Sequence, residues 1–341
     1  MRIIVALSGG ADSTVAAYEL KKKGHEVIGL TMMTCSDAAR AREAAKNLGI
    51  SCHVIDLSKE FDSKVKKYFV EEYNQGRTPN PCIYCNREIK FGIFFEKVKE
   101  LGAEKLATGH YALVSNEGDK YFLKEARDKK YDQSYFLCGI PGEKLKFIEF
   151  PIGELTKKEV RDIAVKQNFT SAGYSPSQDI CFASDEDGYR GYLEKLGRTV
   201  FLPGAILDIS GKVIGKHKGI AAYTIGQRQG LGIFSKEPLY VSRIDPVANT
   251  ITIGIREHCL HKKIQVTWFN WLAVNELDKP MEFEVRIRYN SEKKHALVSP
   301  LSKEKAVVEF REPQFAPAPG QAAVFYDGEV VVAGAWIETS E

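Results

Sequence analysis

The sequence has no apolar run of about 18 residues, the length that a membrane-spanning helix needs. At its start, "MRIIVALSGG", an apolar run of five residues ends at glycines, so we expect neither a signal peptide nor a membrane anchor. The seven cysteines are odd in number and scattered, unlike the disulfide framework of a small secreted protein. No segment is of low complexity. These absences favour a soluble, cytoplasmic protein.

The composition that is present is typical of a globular protein. The chain has 341 residues, of which 44% are hydrophobic and 27% are charged. A chain of this length folds into roughly two or three domains, each with a core. The net charge of +3 is weakly basic, which permits a nucleic-acid partner without arguing for one.

The first hundred residues alternate between strand and helix patterns. The strand-like runs are "IIVAL", "EVIGLTM", "CHVIDL" and the start of "KLATGHYAL". Between the second and third we predict an Ala-rich helix with Ser36 as N-cap and Gly49 as C-cap. This order predicts an α/β fold with a doubly wound parallel sheet. Ligands of such sheets bind beyond the carboxyl ends of the strands, where "SGGADS", "TMMTCS" and "TGH" fall.

The segment "SGGADS", Ser8 to Ser13, joins the first strand to the first helix. Amide N–H groups at a helix N-terminus favour an anion, two glycines allow close approach, and Asp12 could hold Mg²⁺ against phosphates. A plain tight turn is the simpler alternative. The segment lacks the lysine of a Walker loop, so that class of NTPase is excluded. It resembles the pyrophosphate (PP) loop of the ATP pyrophosphatase superfamily, which implies cleavage of ATP between the α and β phosphates.

A second motif, "RTPNPCIYCN", places Cys82 and Cys85 in a turn restricted by prolines. We expect a helix after Asn86, which would put both thiols ahead of a helix N-terminus and favour thiolates. A third thiol, Cys181, lies in the polar loop "PSQDICF". From the residues alone, a redox pair, a zinc site with His110 as fourth ligand, and core packing all stay open.

These motifs together resemble the tRNA-specific 2-thiouridylase family, which thiolates the wobble uridine of certain tRNAs. The resemblance rests on "SGGADS", "TPNPCIYCNREIKF" and "SQDICF". It continues through "ATGHYA", "DQSYFL", "FPIGELTKKEVRDIA", "HKGIAAYTIGQRQGLGI", "PLYVSRID" and "PQFAPAPGQAAVFYDGEVVVAGAWI". It therefore covers nearly all of the chain in order.

The resemblance implies that ATP adenylates the 2-oxygen of the uridine and that sulfur then replaces it. The implied nucleotide contacts are Ala6, Leu7, Ser8, Gly9, Gly10, Ala11, Asp12, Ser13, Met32 and Gly109. The implied tRNA contacts are Asn80, Pro81, Cys82, His110, Tyr131, Asp132, Gln133, Arg288, Tyr289 and Gln321. Two of these have a structural alternative, since Gln321 could cap a turn and Tyr289 could lie in the core. Tyr131 stands where relatives often have lysine, which removes a positive charge.

The resemblance also implies roles for the cysteines. Cys181 would carry the sulfur as a persulfide, and Cys85 would release it and end bonded to Cys181. Cys82 stands where many relatives have Asp, so the proton-transfer role of that Asp is in doubt here. The extra thiol opens an alternative, in which Cys82, Cys85 and Cys181 hold a [4Fe–4S] cluster. The expected partners are tRNA and a sulfur donor, either a relay protein or sulfide, and we expect a monomer.

The chain divides by pattern into four parts. Residues 1–150 form the predicted PP-loop domain, and residues 151–200 a helical adaptor that carries the Cys181 loop. Short alternating strands predict a small central β domain at 201–260 and a barrel-like, tRNA-contacting domain at 261–341. Other readings are a different PP-loop enzyme, either an amidating synthetase or a thiolase of another tRNA base, or a non-catalytic RNA-binding protein. The three cysteines count against amidation.

Overall fold

A computed structural model describes residues 1–34, 38–173, 180–183, 188–196 and 201–340. Ser36, the predicted N-cap, lies outside the described residues. The strands in chain order are β1 (Arg2–Ala6), β2 (Glu26–Met33), β3 (Cys52–Asp56), β4 (Lys105–Thr108), β5 (Ala112–Glu117), β6 (Lys120–Glu125), β7 (Ile148–Glu149), β8 (Gly204–Leu207), β9 (Val213–His217), β10 (Tyr240–Asp245), β11 (Thr250–Gly254), β12 (Leu260–Trp271), β13 (Met281–Arg286), β14 (Lys294–Pro300), β15 (Lys305–Phe315), β16 (Ala322–Asp327) and β17 (Val330–Ser340).

Most helices lie in the N-terminal half. The α-helices are α1 (Ala11–Lys22), α2 (Ala39–Leu48), α3 (Ser58–Phe61), α4 (Lys67–Asn74), α5 (Pro81–Cys85), α6 (Phe94–Glu100), α7 (Ser134–Leu137), α8 (Lys157–Lys166) and α9 (Gly188–Leu196). Two π-helical stretches, Asp62–Lys66 and Asn86–Ile93, run between consecutive α-helices. Short 3₁₀ turns cover Gly142–Phe147, Thr170–Gly173, Ile220–Ala222 and Arg256–Cys259.

The first sheet is parallel and has the strand order β3-β2-β1-β4-β7. The alternation of short buried strands with helices predicted this arrangement, and the prediction is confirmed. One apolar core contains Val5 and the inner faces of α1, α2 and α8, and a second contains Ile4 and residues of α3, α5 and α6. The predicted left-handed C-cap at Gly49 is present, with φ of 63°. The carboxyl ends of β1 and β4 lie side by side, since Ala6 pairs with Thr108.

The second half of the chain is mainly β, as predicted. One sheet has the order β10-β11-β8-β9. The other has the order β12-β15-β14-β13-β16-β17, and it closes on itself because β12 also pairs with β17. Its interior is filled by alternate apolar side chains such as Val266, Val285 and Val308. Because the sheet is closed, its first and last strands pair with each other, which leaves few unpaired backbone groups at its edges.

The hairpin of β5 and β6 lies within residues 1–150 but joins the C-terminal sheet. Val330 of β17 pairs with Lys124 of β6. Sequence pattern assigned this segment to the first domain because it is contiguous with that domain. Long-range strand pairing instead makes it a bridge between the parallel sheet and the barrel. Among the described residues, no helix is both long and apolar enough to cross a membrane.

Candidate active site at the edge of the parallel sheet

The loop Ser8–Ser13 is held in shape by its own hydroxyl groups. The Ser8 amide donates to Ser13 Oγ at 3.2 Å, and the hydroxyls of Ser8 and Ser13 lie 3.0 Å apart. Ser13 Oγ also donates to the Gly10 carbonyl at 3.1 Å. Gly10 caps α1 without a side chain, so no side chain bonds to the first amides of this helix. These amides and the helix dipole form an anion-binding end.

Two glycines allow the close packing around this loop. Gly9 has φ of +79°, and a Cβ there would lie 2.4 Å from the backbone of Arg40. A Cβ on Gly109 would lie 2.6 Å from the amide nitrogen of Ser13. The residue after β4 is therefore in contact with the first turn of α1. The predicted nucleotide residues Ala6, Leu7, Ser13 and Gly109 meet in one place, with Met32 at the end of the neighbouring strand β2.

Asp12 is engaged by two side chains from other parts of the chain. Lys157 Nζ lies 2.8 Å from each carboxylate oxygen. The hydroxyl of Tyr111 donates to Asp12 Oδ1 at 2.9 Å. Burial and the neighbouring Asp12 carboxylate raise the pKa of Tyr111 far above its usual range, so it stays a donor.

This arrangement tests the prediction that Asp12 binds Mg²⁺. Both carboxylate oxygens already accept strong bonds, and a bound ammonium repels a cation. Among the described residues, no group of three or more His, Cys, Asp or Glu side chains is placed to hold a metal ion. In this structure Asp12 therefore binds a lysine, and its binding of Mg²⁺ stays a prediction.

The turn with the two cysteines begins a helix earlier than predicted. α5 starts at Pro81, and Asn80 Oδ1 accepts from the Ile83 amide at 3.2 Å. The prediction that the helix begins after Asn86 is wrong. Asn at the N-cap followed by Pro at the first helical position is itself a start signal, which the sequence reading did not use. Cys82 therefore lies in the first turn of a helix and Cys85 at the end of α5.

The C-terminal domain fixes the segment that precedes this helix. The side-chain amide of Gln321 donates to the carbonyls of Thr78 and Pro79, each at 3.1 Å. The Thr78 amide donates to the Pro319 carbonyl at 2.7 Å. Gln321 thus caps the turn, the alternative left open by the sequence.

Aromatic side chains hold the cysteine helix from two sides. The ring of Tyr84 stacks on Tyr68 with centroids 4.2 Å apart. The guanidinium of Arg87 lies 4.7 Å from the Tyr84 ring centroid and 4.3 Å from that of Trp268 in β12. Cation–π contacts of this length add to packing energy. The helix is therefore positioned by both the parallel domain and the barrel.

His110, Lys90 and Cys82 form a line of polar groups next to the loop. Lys90 Nζ lies 3.5 Å from His110 Nε2, and Thr108 Oγ1 lies 2.7 Å from Nδ1. An ammonium can only donate, so Nε2 accepts and Nδ1 carries the proton. Burial, aided by the Lys90 charge, holds the pKa of His110 well below 6.5.

Cys82 is exposed, but its surroundings do not favour a thiolate. Reduced solvation raises the pKa of Cys82, and the charge of Lys90 opposes this only in part. The expected stabilisation by a helix N-terminus is therefore not the dominant effect on this thiol. Cys82 is a neutral thiol near neutral pH.

The Cys181 loop is anchored through its neighbour Phe182. The Phe182 ring contacts Phe61 at 5.6 Å and Phe69 at 5.2 Å between centroids. Phe182 also packs against the core to which Cys85 and Tyr84 belong. The three cysteines, all described, are not among side chains grouped to hold a metal. A cluster held by Cys82, Cys85 and Cys181 stays a prediction.

The predicted tRNA contacts in "YDQSYFL" differ in exposure. Tyr131 is 37% exposed and is accessible to a partner. Asp132 is 2% exposed and accepts from the amides of Ala126 and Ser134, so its carboxylate supports the local fold. Gln133 Oε1 accepts from the Tyr111 amide at 3.0 Å, which orders the strand end near the loop.

Arg288, Tyr289 and Gln321 line one cavity of about 820 Å³. Arg288 also donates to the carbonyls of Ile225 and Ala316, so it ties the central β domain to the barrel. The cavity wall is rich in arginine, amide and tyrosine side chains, and no Asp or Glu is among the described residues that line it. Besides the predicted residues, its polar lining includes Thr78, Tyr189, Arg190, Thr224, Gln227, Gln229 and Asn290.

Sequence reasoning missed Lys90, Tyr111 and Lys157. Each lies within a motif that was quoted, "REIKF", "TGHY" or "ELTKKEVR", but none stands next to the loop or the turn in sequence. Arg190 and Gln227 of the cavity were missed for the same reason.

Known proteins resemble this chain in sequence over almost its whole length. A family model described as "tRNA methyl transferase HUP domain" matches residues 1–185. Models described as "tRNA methyl transferase PRC-barrel domain" and "Aminomethyltransferase beta-barrel domain" match residues 191–255 and 261–337. tRNA-specific 2-thiouridylase MnmA 1 of Caldanaerobacter subterraneus subsp. tengcongensis is 42% identical, covering 99% of this chain and 98% of that protein. The chain belongs to the tRNA-specific 2-thiouridylase family.

Other thiouridylases match over the same length. MnmA of Treponema denticola is 42% identical, covering 100% of this chain and 99% of that protein. MnmA of Syntrophotalea carbinolica is 43% identical and covers 98% of each chain. Among solved structures, a 4-thiouridine synthetase–RNA complex with bound ATP is 19% identical, covers 57% of this chain and 50% of that chain, and has a TM-score of 0.38.

Proposed function

We propose that this chain is a tRNA 2-thiouridylase that uses ATP to exchange the 2-oxygen of the wobble uridine for sulfur. One observation carries the proposal. Gly109 contacts the phosphate-binding end of α1, and the next residue, His110, contacts Lys90, whose charge acts on Cys82. A nucleotide-binding loop and a cysteine turn are thus joined by a short line of adjacent side chains.

In the first step, the uridine 2-oxygen attacks the α-phosphorus of ATP, and pyrophosphate leaves. The uncapped amides of α1 and the hydroxyls of Ser8 and Ser13 would bind the departing phosphates. The α-phosphate then remains on the uridine oxygen, which turns a poor leaving group into AMP. Neutral His110 lines this place without adding a charge, and its ring nitrogens bond to Lys90 and Thr108.

In the second step, the terminal sulfur of a Cys181 persulfide attacks carbon 2 of the uridine, and AMP leaves with the oxygen. The Cys85 thiolate attacks Cys181 Sγ, so the persulfide S–S bond breaks as a Cys85–Cys181 disulfide forms. The transferred sulfur stays on the uridine at the sulfide level. A thiol reductant must supply two electrons to the disulfide before the next cycle, and a donor must reload Cys181.

We propose that tRNA lies along the cavity between the central β domain and the barrel. Its arginines and amides match phosphates and base edges, and the rings of Tyr189 and Tyr289 can stack on unpaired bases. Exposed Tyr131 is a further contact that we propose for tRNA. Methyl transfer, which two of the family descriptions name, would give neither the PP loop nor the cysteines a role.

The test is thiolation of unmodified tRNA in the presence of ATP, a persulfide donor and a thiol reductant. We expect Cys85→Ser and Cys181→Ser to abolish 2-thiouridine while tRNA-dependent release of pyrophosphate continues. Cys82→Ser should stay within about threefold of the wild type, because a neutral thiol is close to a hydroxyl in size and charge. Cys52→Ser in β3 is the matched control.

Two outcomes would contradict the proposal. Wild-type protein that releases no pyrophosphate with tRNA and ATP is not an adenylating enzyme. About four irons per chain after anaerobic purification, lost in Cys82→Ser together with thiolation, would establish the cluster alternative instead.

A further inference from the structure

The PP loop lacks a cation of its own. Residues Ser8–Ser13 offer hydroxyls and amides, and Asp12 adds a negative charge beside the place where phosphates would bind. Pyrophosphate carries several negative charges, and its departure is faster when a positive charge lies against it. A Walker loop contains a lysine for this purpose, and this loop does not.

The fold brings a lysine to this loop from the first turn of α8. Lys157 Nζ lies 2.8 Å from both oxygens of Asp12, although 145 residues separate the two. The ammonium lies 5.3 Å from the ring centroid of Tyr111 and 5.8 Å from that of Tyr131. The side chains of Lys157 and Asp12 are 25% and 34% exposed, so a ligand can reach them.

The start of α8 is fixed more firmly than most helix ends. Thr156 and Glu159 form a reciprocal capping box. The Lys157 amide donates to Asp128 Oδ2 at 2.9 Å, and Arg127 pairs with Glu159. The backbone of Lys157 is therefore fixed relative to α1. The side chain is held in turn by Asp12, as an oriented donor needs to be.

An ammonium has three N–H donors, and the two contacts with Asp12 account for two of them. The third is left for a phosphate oxygen at the uncapped end of α1. The same ammonium engages both carboxylate oxygens of Asp12. The negative charge of Asp12 offsets the positive charge of Lys157. Lys157 therefore acts more as an oriented hydrogen-bond donor than as an isolated cation.

We propose that Lys157 is a catalytic residue that binds the departing pyrophosphate, and that Asp12 positions it. This inference rests on the proposed adenylation. As the bond between the α-phosphorus and the bridging oxygen breaks, the electron pair stays on pyrophosphate, and the Lys157 ammonium bonds to the oxygen that gains charge. No proton needs to move in this step.

The experiment compares Lys157→Gln with Lys158→Gln. Lys158 is the next residue of the same helix and is exposed. We expect Lys157→Gln to slow tRNA-dependent pyrophosphate release about 100-fold, as for loss of one oriented donor to a charged transition state. Inhibition by added pyrophosphate should weaken at least tenfold, whereas inhibition by AMP should be unchanged. Lys158→Gln should match the wild type in all three measurements.

A double-mutant cycle with Asp12→Asn separates this role from metal binding. If Asp12 acts through Lys157, the double variant is no slower than Lys157→Gln alone. If Asp12 instead holds Mg²⁺, the two effects multiply and higher Mg²⁺ restores Asp12→Asn, which overturns the proposal. Equal pyrophosphate inhibition of Lys157→Gln and the wild type also overturns it. A wild type that releases no pyrophosphate refutes the proposed function. Direct binding of pyrophosphate, measured by calorimetry on the wild type and Lys157→Gln, then decides the role of Lys157.

Discussion

The PP loop and the cysteine turn are held in place in opposite ways. The loop is closed by bonds between its own residues, such as those of Ser13 with Ser8 and Gly10. The turn depends on Gln321, which lies 243 residues away from Thr78 and bonds to its carbonyl. The loop is therefore a local structure, whereas the turn is shaped by the barrel.

We expect this difference to make adenylation and sulfur transfer depend on different parts of the molecule. A change in the barrel should reach the cysteines through Gln321 and Pro319, whereas the loop should stay intact. Adenylation and sulfur transfer should thus respond differently to the same mutation.

The largest expected effect comes from Gly109→Ala, which would displace the PP loop. The new Cβ would lie within 3 Å of the Ser13 and Asp12 backbone, so the first turn of α1 must shift. We expect about a 100-fold loss of pyrophosphate release and a lower unfolding free energy by about 1–3 kcal/mol. Gly173→Ala is the control, because nothing lies within 4 Å of its added Cβ. Normal release by Gly109→Ala would show that the loop tolerates displacement.

A smaller effect is expected from Gln321→Ala, which attacks the long-range side. Two bonds to the carbonyls of Thr78 and Pro79 are lost, at about 0.5–1.5 kcal/mol each. Thiolation should fall about tenfold, because a loosened turn misplaces the cysteines, and pyrophosphate release should stay within about twofold. Gln314→Ala, in a barrel strand, is the control. Equal loss of both activities would remove the distinction between loop and turn.

The smallest effect concerns pH, at the junction of the two regions. His110 has a pKa well below 6.5 in the folded protein, so as pH falls below about 6.5 the unfolded chain gains a proton that the folded one does not. Stability due to this site is thus kept above about pH 6.5 and lost on acidification. The unfolding free energy should fall with a steeper slope than in His110→Gln, by up to about 1.4 kcal/mol per pH unit.

Two variants check whether His110 causes the pH dependence of the unfolding free energy. This free energy is measured by urea unfolding between pH 7 and 5. Lys90→Met should make it shallower, because the neighbouring charge that opposes protonation is gone. His53→Gln, at an exposed strand position, should leave it unchanged. A slope that is the same in His110→Gln and the wild type would show that His110 titrates normally.

Much of the fold could be predicted from the sequence, because the residues that specify each strand, helix and cap lie close together along the chain. Short β-branched runs between helices predicted the parallel sheet, and Gly49 ended α2 as expected. The sequence pattern predicted a helix start after Asn86. Helix α5 begins earlier, because Asn80 caps it and Pro81 occupies its first position. Whether the three cysteines meet depends on distances between loops far apart in sequence, which no pattern supplies.

The sequence by itself determined the sheet and the loop between β1 and α1. Periodicity, capping residues and glycines act on neighbours along the chain, so they can be read from it. Tertiary structure alone decided that Lys157 pairs with Asp12, that Gln321 caps the cysteine turn and that β5 and β6 join the barrel. These contacts join residues more than a hundred positions apart, and they follow from how whole elements pack.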